Sequence, residues 1–186
     1  MIEAEVKAKV HDPKGVLDAL EQRAEARSEV YADTYFDQDG RLDATDRELR
    51  IRTVHGATST RSVLTYKEPR VDAVSGSKPE WETVVADPAA LHTILGHLGY
   101  SPALAFEKRC RSYDLAIDGR SFAVTFVQVP ELGGHFFEVE TSADTEQELP
   151  GALDAVRTLL RELGIGAEDE TNELYTDAVA ARRRTG

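Results

Sequence analysis

The opening strand-like segment constrains this chain more than any other feature. From Ile2 to Val10 charge and apolarity alternate without a break: Glu3, Glu5, Lys7 and Lys9 have one parity, Ile2, Ala4, Val6, Ala8 and Val10 the other. A strand sends successive side chains to opposite faces, so this segment has one wholly charged face and one wholly apolar face. The same grammar recurs. Glu80-Trp81-Glu82 and Glu138-Val139-Glu140 set two carboxylates on one face, while Arg50-Ile51-Arg52 and Arg109-Cys110-Arg111 do so for cations. With 34 acidic residues among 186, acidic pairs two apart are common by chance. The apolar residue between them and the strand-like run around them set these apart.

Alternation marks about eight strands, at Ile2–Val10, Asp33–Asp37, Glu48–Val54, Ser62–Lys67, Glu80–Val85, Phe106–Leu115, Ser121–Val129 and Phe136–Thr141. Asp39-Gly40, His55-Gly56 and Asp118-Gly119 are short turn signals and predict mainly antiparallel pairing. Three helices are predicted. Asp12-Pro13 and Asp87-Pro88 are capped starts, followed by Val16, Leu17 and Leu20 and by Leu91, Ile94, Leu95 and Leu98; the third runs from about Pro150 through Leu153, Val156, Leu159, Leu160 and Leu163. The stretch Glu68–Lys78 reads as a long mobile loop. The fold class is α+β with a large antiparallel sheet, organised as a single domain over 1–180 with a basic tail over 181–186 that carries Arg182, Arg183 and Arg184.

Two arrangements satisfy this pattern. An open sheet turns its charged side to water and its apolar side to the helices; a closed barrel makes the charged side a polar lumen under the same helices. Solvent faces usually mix Thr, Ser and Gln with single charges, whereas like-charged pairs recur here on strand after strand. Carboxylates crowded in a confined space resist ionisation, and a divalent cation relieves them. With Cys110 the lone cysteine, ligation by oxygen favours Mg²⁺ or Mn²⁺. The cation pairs then need an anion, and a polyphosphate that chelates the same metal satisfies both signs. The net charge of −12 argues against nucleic acid or an anionic membrane surface as partner. Neither a run of ~18 apolar residues nor a basic-then-apolar leader is apparent, so a cytoplasmic location is expected. A homodimer is the default assembly.

Glu3-Ala4-Glu5-Val6-Lys7 resembles the Glu-x-Glu-x-Lys signature of the CYTH domain, the triphosphate tunnel metalloenzymes that include class IV adenylate cyclases and thiamine triphosphatases. Further matches follow in order: Asp33-Thr34-Tyr35-Phe36-Asp37, Leu49-Arg50-Ile51-Arg52, Leu64-Thr65-Tyr66-Lys67, Pro79-Glu80-Trp81-Glu82, Glu107-Lys108-Arg109 and Leu132-Gly133 before Glu138-Val139-Glu140. The order, with its long loop after Lys67, looks most like the class IV cyclase branch. The resemblance implies an eight-stranded antiparallel β-barrel, a triphosphate tunnel, with helices packed outside, using Mg²⁺ or Mn²⁺. It implies Glu3, Glu5, Glu138 and Glu140 as metal ligands, and Lys7, Lys9, Arg50, Arg52, Lys67 and basic residues near Arg109 as phosphate ligands. Lys7, Arg52 and Lys67 are the expected catalytic cations, and Glu80 and Glu82 support the basic set or add ligands. In the Phe106–Leu115 strand Lys108 faces opposite to Arg109 and Arg111; the expectation is that Arg109 and Arg111 point inward. The implied substrate is ATP, inorganic triphosphate or thiamine triphosphate. Conversion of ATP to cyclic AMP and pyrophosphate is the first reading and triphosphate hydrolysis the second. A third, a low-turnover triphosphate-binding module, follows from a departure: members commonly have an Asp where Val127 stands, before Gln128-Val129-Pro130-Glu131-Leu132-Gly133.

Overall fold

The computed structural model describes residues 2–185. Eight strands, β1 (Ile2–Val10), β2 (Arg27–Asp37), β3 (Glu48–His55), β4 (Thr60–Lys67), β5 (Lys78–Val85), β6 (Ser101–Ile117), β7 (Arg120–Gln128) and β8 (His135–Ala143), close into a barrel in the order β1-β5-β4-β3-β2-β6-β7-β8. Every neighbouring pair is antiparallel. β1 pairs with β8 along its whole length, from Ile2↔Ala143 to Val10↔His135, but with β5 only at Ile2↔Pro79 and Glu3↔Lys78. Asp118 and Gly119 turn the chain from β6 into β7 with φ of 50° and 78°, the left-handed pair that a two-residue hairpin of this twist requires.

The alternation in β1 decides which way the barrel faces. Ala4, Val6 and Ala8 lie under α1 (Pro13–Glu21) and α3 (Leu149–Glu162), in one apolar cluster with Leu20, Leu153, Val156 and Leu160. Pro13 opens α1, and the Asp12 carboxylate accepts from the Gly15 N–H, as its capping position predicts. α2 (Pro88–His97), capped in the same way by Asp87, lays Leu95 over Phe36, Leu49 and Ile51. Each helix thus covers an outer, apolar face of the barrel and leaves the charged face turned inward. Among the described residues no helix is long and apolar enough to cross a membrane.

One element was not foreseen. Residues Tyr175–Thr185 form a fourth helix, α4, so the stretch read as a basic tail is its last turn. There three arginines face the carbonyl end of the helix dipole, which favours positive charge, and Arg183 grips Glu131 at 2.7 Å through two nitrogens while donating to the Ala105 carbonyl at 2.8 Å. α4 sits against one end of the barrel: Tyr175 and Val179 pack with Phe106, Cys110, Val127, Val129 and Phe136. Phe106 and Cys110 share the parity of Lys108, and Phe136 that of Glu138, so this apolar seat continues the lumen surface past its charges.

Val127 is fully buried in that seat. It lies opposite Phe136, four residues along β8 from Glu140, or about 13 Å at strand spacing. A carboxylate there would meet apolar neighbours and sit far from the acidic cluster. Val127→Asp is therefore expected to loosen α4 and cost about 3 kcal/mol of stability, lowering the midpoint of thermal or urea unfolding; an unchanged midpoint would show that the seat tolerates charge.

Candidate functional site: a charged lumen

Inward-facing side chains of β1, β2, β3, β4, β5, β6 and β8, with Leu174, Tyr175 and Thr176 at the start of α4, enclose a hollow of about 190 Å³. Six cations line it, Lys7, Arg50, Arg52, Lys67, Lys78 and Lys108, against seven carboxylates, Glu3, Glu5, Glu48, Glu80, Glu82, Glu138 and Glu140. The near balance means that the hollow holds no great excess of either sign, and suits a cation and an anion arriving together.

The cations are held by specific partners. Asp33, fully buried on the inward face of β2, takes Arg52 in a fork, with Nε at 2.7 Å and a terminal nitrogen at 2.8 Å. Burial alone would raise the Asp33 carboxyl, but Arg52 and Arg50 outweigh it and hold it well below the usual carboxylate range. Arg52 also lies over the Tyr31 ring at 4.6 Å. Arg50 donates to the Thr65 hydroxyl at 3.2 Å, and Thr65 in turn donates to Glu82 at 2.7 Å. Its Nε is buried without a partner, a donor left free in the wall. Lys67 bridges Glu3 and Glu80; burial works against its charge, but Glu3, Glu5 and Glu80 raise its pKa well above the ordinary lysine value. Lys78 is bonded to Glu48 at 2.7 Å and to Asp46 at 3.0 Å.

Three carboxylates remain close together. One oxygen from each of Glu3, Glu5 and Glu140 lies within 4.8 Å of the others. Two oxygens across a divalent ion with bonds of about 2.1 Å stand about 4 Å apart, so the spacing fits one ion after a small inward movement. Their electrostatics fit it too. Burial and then repulsion from Glu3 and Glu138 push Glu5 up to about 7, and burial with Glu3, Glu5 and Glu138 pushes Glu140 well above the ordinary carboxylate range. Glu3 is the exception, held low by Lys67 and Arg50 against its burial. Glu138 stands outside the trio. It pairs with Lys108 at 3.5 Å, and Lys108, Lys7 and Arg52 outweigh its burial to keep it ionised.

Most residues expected from sequence meet here: Glu3, Glu5, Lys7, Arg50, Arg52, Lys67, Glu80, Glu82, Lys108, Glu138 and Glu140 all line the hollow. Three do not. Arg109 is exposed on the outside of β6, and Arg111 reaches outward to Glu21 of α1, so the inward cation of that strand is Lys108, 4% exposed. The reason is register: β6 is regular through this stretch, Phe106, Lys108 and Cys110 share the buried side, and a barrel strand cannot turn both parities inward. Lys9 has the inward parity but lies exposed beyond the charged hollow, beside His11 and α4. The residues unmarked in the sequence reading are Tyr35, Glu48, Lys78 and Tyr175. The signal for Glu48 and Lys78 was parity, since they share faces with Arg50 and with Glu80; Lys78 opens β5 instead of closing the loop.

A CYTH domain family model matches residues 1–175. A Methanocaldococcus jannaschii protein named "Putative adenylate cyclase" is 27% identical over 182 residues, covering 95% of this chain and 98% of its own. Among solved structures, the PH1819 protein of Pyrococcus horikoshii has a TM-score of 0.82 at 26% identity, over 97% of this chain and 99% of that one. HpAC1 of Hippeastrum, described as a "putative adenylyl cyclase" with a dominant triphosphatase activity, has a TM-score of 0.66 at 17% identity, over 97% and 96% of the two chains. At that identity the likeness is one of fold.

Because Glu5 holds its proton more tightly folded than unfolded, its contribution to stability is complete below the ordinary carboxyl value of 4.5 and is lost as the pH rises through about 7. In chelator, thermal stability should therefore decline toward alkaline pH, and Glu5→Gln, which imitates the protonated carboxyl, should decline less. Calorimetry from about pH 5 to about pH 8 reads the difference; parallel curves would mean that Glu5 is not under this strain.

Proposed function

The chain belongs to the CYTH domain family, and from that premise we propose that it is a metal-dependent enzyme acting on the triphosphate of a small-molecule substrate inside the barrel. The observation that carries this reading is one hollow inside the barrel that presents clamped cations, a buried guanidinium nitrogen without a partner, and a compact carboxylate trio. Glu3, Glu5 and Glu140 would hold Mg²⁺ or Mn²⁺, with Glu138 acting on Lys108 and Lys7. Once bound, the ion supplies charge neutralisation at phosphoryl oxygens and acidifies an attacking hydroxyl or water.

The chain's own residues do the positioning, which is most of what phosphoryl and nucleotidyl transfer ask of a protein. Arg50 and Arg52 present guanidiniums whose orientation is fixed by Thr65 and Asp33, so little order is lost when they meet phosphate. Lys67, which bridges Glu3 and Glu80 in the lumen, would be placed between the carboxylates that hold the ion and a phosphoryl oxygen. Lys7 from β1 and Lys108 from β6 add point charges, and their burial limits screening by water.

We take the cyclase reaction first: the ribose 3′-oxygen of ATP bonds to the α-phosphorus as the bridge to the β-phosphate breaks, giving cyclic AMP, pyrophosphate and a proton. The name of the Methanocaldococcus relative supports it. The second reading, hydrolysis by water of inorganic triphosphate, thiamine triphosphate or a nucleoside triphosphate, is supported by the activity described for the Hippeastrum protein. The third reading, a low-turnover binding module, loses its motive, because Val127 seats α4 and lies away from the trio.

Incubation with ATP, inorganic triphosphate and thiamine triphosphate, each with Mg²⁺, Mn²⁺ or chelator, followed by product identification, tests the proposal. Cyclic AMP formed only with metal is the expected result; orthophosphate selects the second reading, and binding without product the third. Lys108→Ala should lower kcat/KM by about tenfold or more, the value of a charge-assisted hydrogen bond, and Arg109→Ala should leave it within about twofold. Equal losses would reverse the assignment of the inward cation.

A further inference from the structure

Tyr175 opens α4, and its surroundings in the sequence give no hint of a role. In the structure it is 7% exposed, forms part of the wall of the charged hollow, and its hydroxyl has no hydrogen-bond partner. A buried O–H left unpaired is costly, and one that faces a polar hollow is a donor awaiting an acceptor. Its ring is held edge-on by Phe136, with centroids 5.2 Å apart at 89°. Two ammonium groups lie against the same ring, Lys7 Nζ at 4.4 Å and Lys108 Nζ at 4.6 Å from its centroid. The phenol therefore stands beside two cations brought to one spot from different strands.

The connection to α4 is direct. Lys7 Nζ also donates to the backbone carbonyl of Glu173, just before the helix, so the cation from β1 is tied to the same segment as Tyr175. Val179 and the Arg183 fork fix the rest of the helix to the barrel. Burial, and then the negative charge of Glu138, keep the phenol protonated, so it remains a donor. Glu138 acts on the phenol by its charge and by an interaction with the O–H that is longer than a hydrogen bond, so an anion bound between Lys7 and Lys108 would compete with it for that donor.

We propose that Tyr175 is a substrate-binding residue: its O–H donates to the phosphoryl oxygen that Lys7 and Lys108 share, and α4 is thereby a wall of the site that the bound anion locks in place. This rests on the reading of the lumen as a triphosphate site. It adds a residue from outside the barrel, and it couples occupancy of the lumen to the order of the C-terminal helix.

Titration calorimetry with inorganic triphosphate and Mg²⁺ tests it, using Tyr175→Phe. That variant keeps the ring, its contact with Phe136 and its two cations, and removes only the O–H. Affinity should fall about tenfold with the unfolding midpoint of the unliganded protein unchanged or raised, since the variant removes an unpaired buried O–H. In wild-type protein, amide exchange over residues 175–185 should slow when triphosphate is added. Equal affinity of the variant and wild type, or exchange indifferent to triphosphate, overturns the role given to Tyr175 while leaving the lumen's function standing. Failure of wild-type protein to bind any triphosphate overturns the reading of the lumen and this inference with it.

Discussion

Charge taken out of water must be compensated, and the whole molecule is organised by that requirement. Closing a sheet whose inner face carries glutamates, lysines and arginines removes them from bulk solvent, and an unpaired ion in such a place is costly. The chain meets the requirement locally wherever it can: Asp33 forks Arg52, Lys67 bridges Glu3 and Glu80, and Lys78 is caught between Glu48 and Asp46. The compensation is incomplete at two places. Glu5 and Glu140 retain protons beyond the ordinary carboxyl range, and the Nε of Arg50 has no acceptor. An active site is often such a residue of imbalance, stable enough to fold and short of what its groups would accept.

Much of this could be read before any coordinates, for a reason particular to strands. A period of two is a strict code, so Glu3, Glu5 and Lys7 had to share a face, as did Arg50 with Arg52 and Glu138 with Glu140. The code gives each strand's faces without saying which one turns inward. Where both parities carry cations, as at Lys108 and Arg109, the choice falls to neighbours on other strands: Phe106 and Cys110 join the apolar seat beneath α4, and Lys108 goes with them. Strand length was equally hidden. β6 runs from Ser101 to Ile117, longer at both ends than its alternation announced, because cross-strand partners extend it where side-chain pattern is mixed.

The fourth helix was illegible for a different reason. Tyr175–Thr185 presents only Tyr175 and Val179 as buried anchors, too few for a stripe, and its three arginines read as solvated tail. Its order comes from the barrel, through an apolar seat to which Val127 contributes and a salt bridge to Glu131. Absence of a carboxylate at position 127 thus has an architectural meaning: that end of the barrel receives a helix.

The two-residue contact between β1 and β5 gives the wall an unequal stitching. On its other flank β1 is joined to β8 along its full length, so among the described residues this short seam is the slack side of the cylinder. A staved vessel gives where its hoops are fewest. Glu3 and Glu80 sit on the two lips of that seam and share one lysine, so Lys67 acts as a clasp across it, ionic where neighbouring joints are made of amides. Where backbone pairing is shortest, β1 is therefore tied to the β4–β5 flank by an ion pair that lies in the chamber itself.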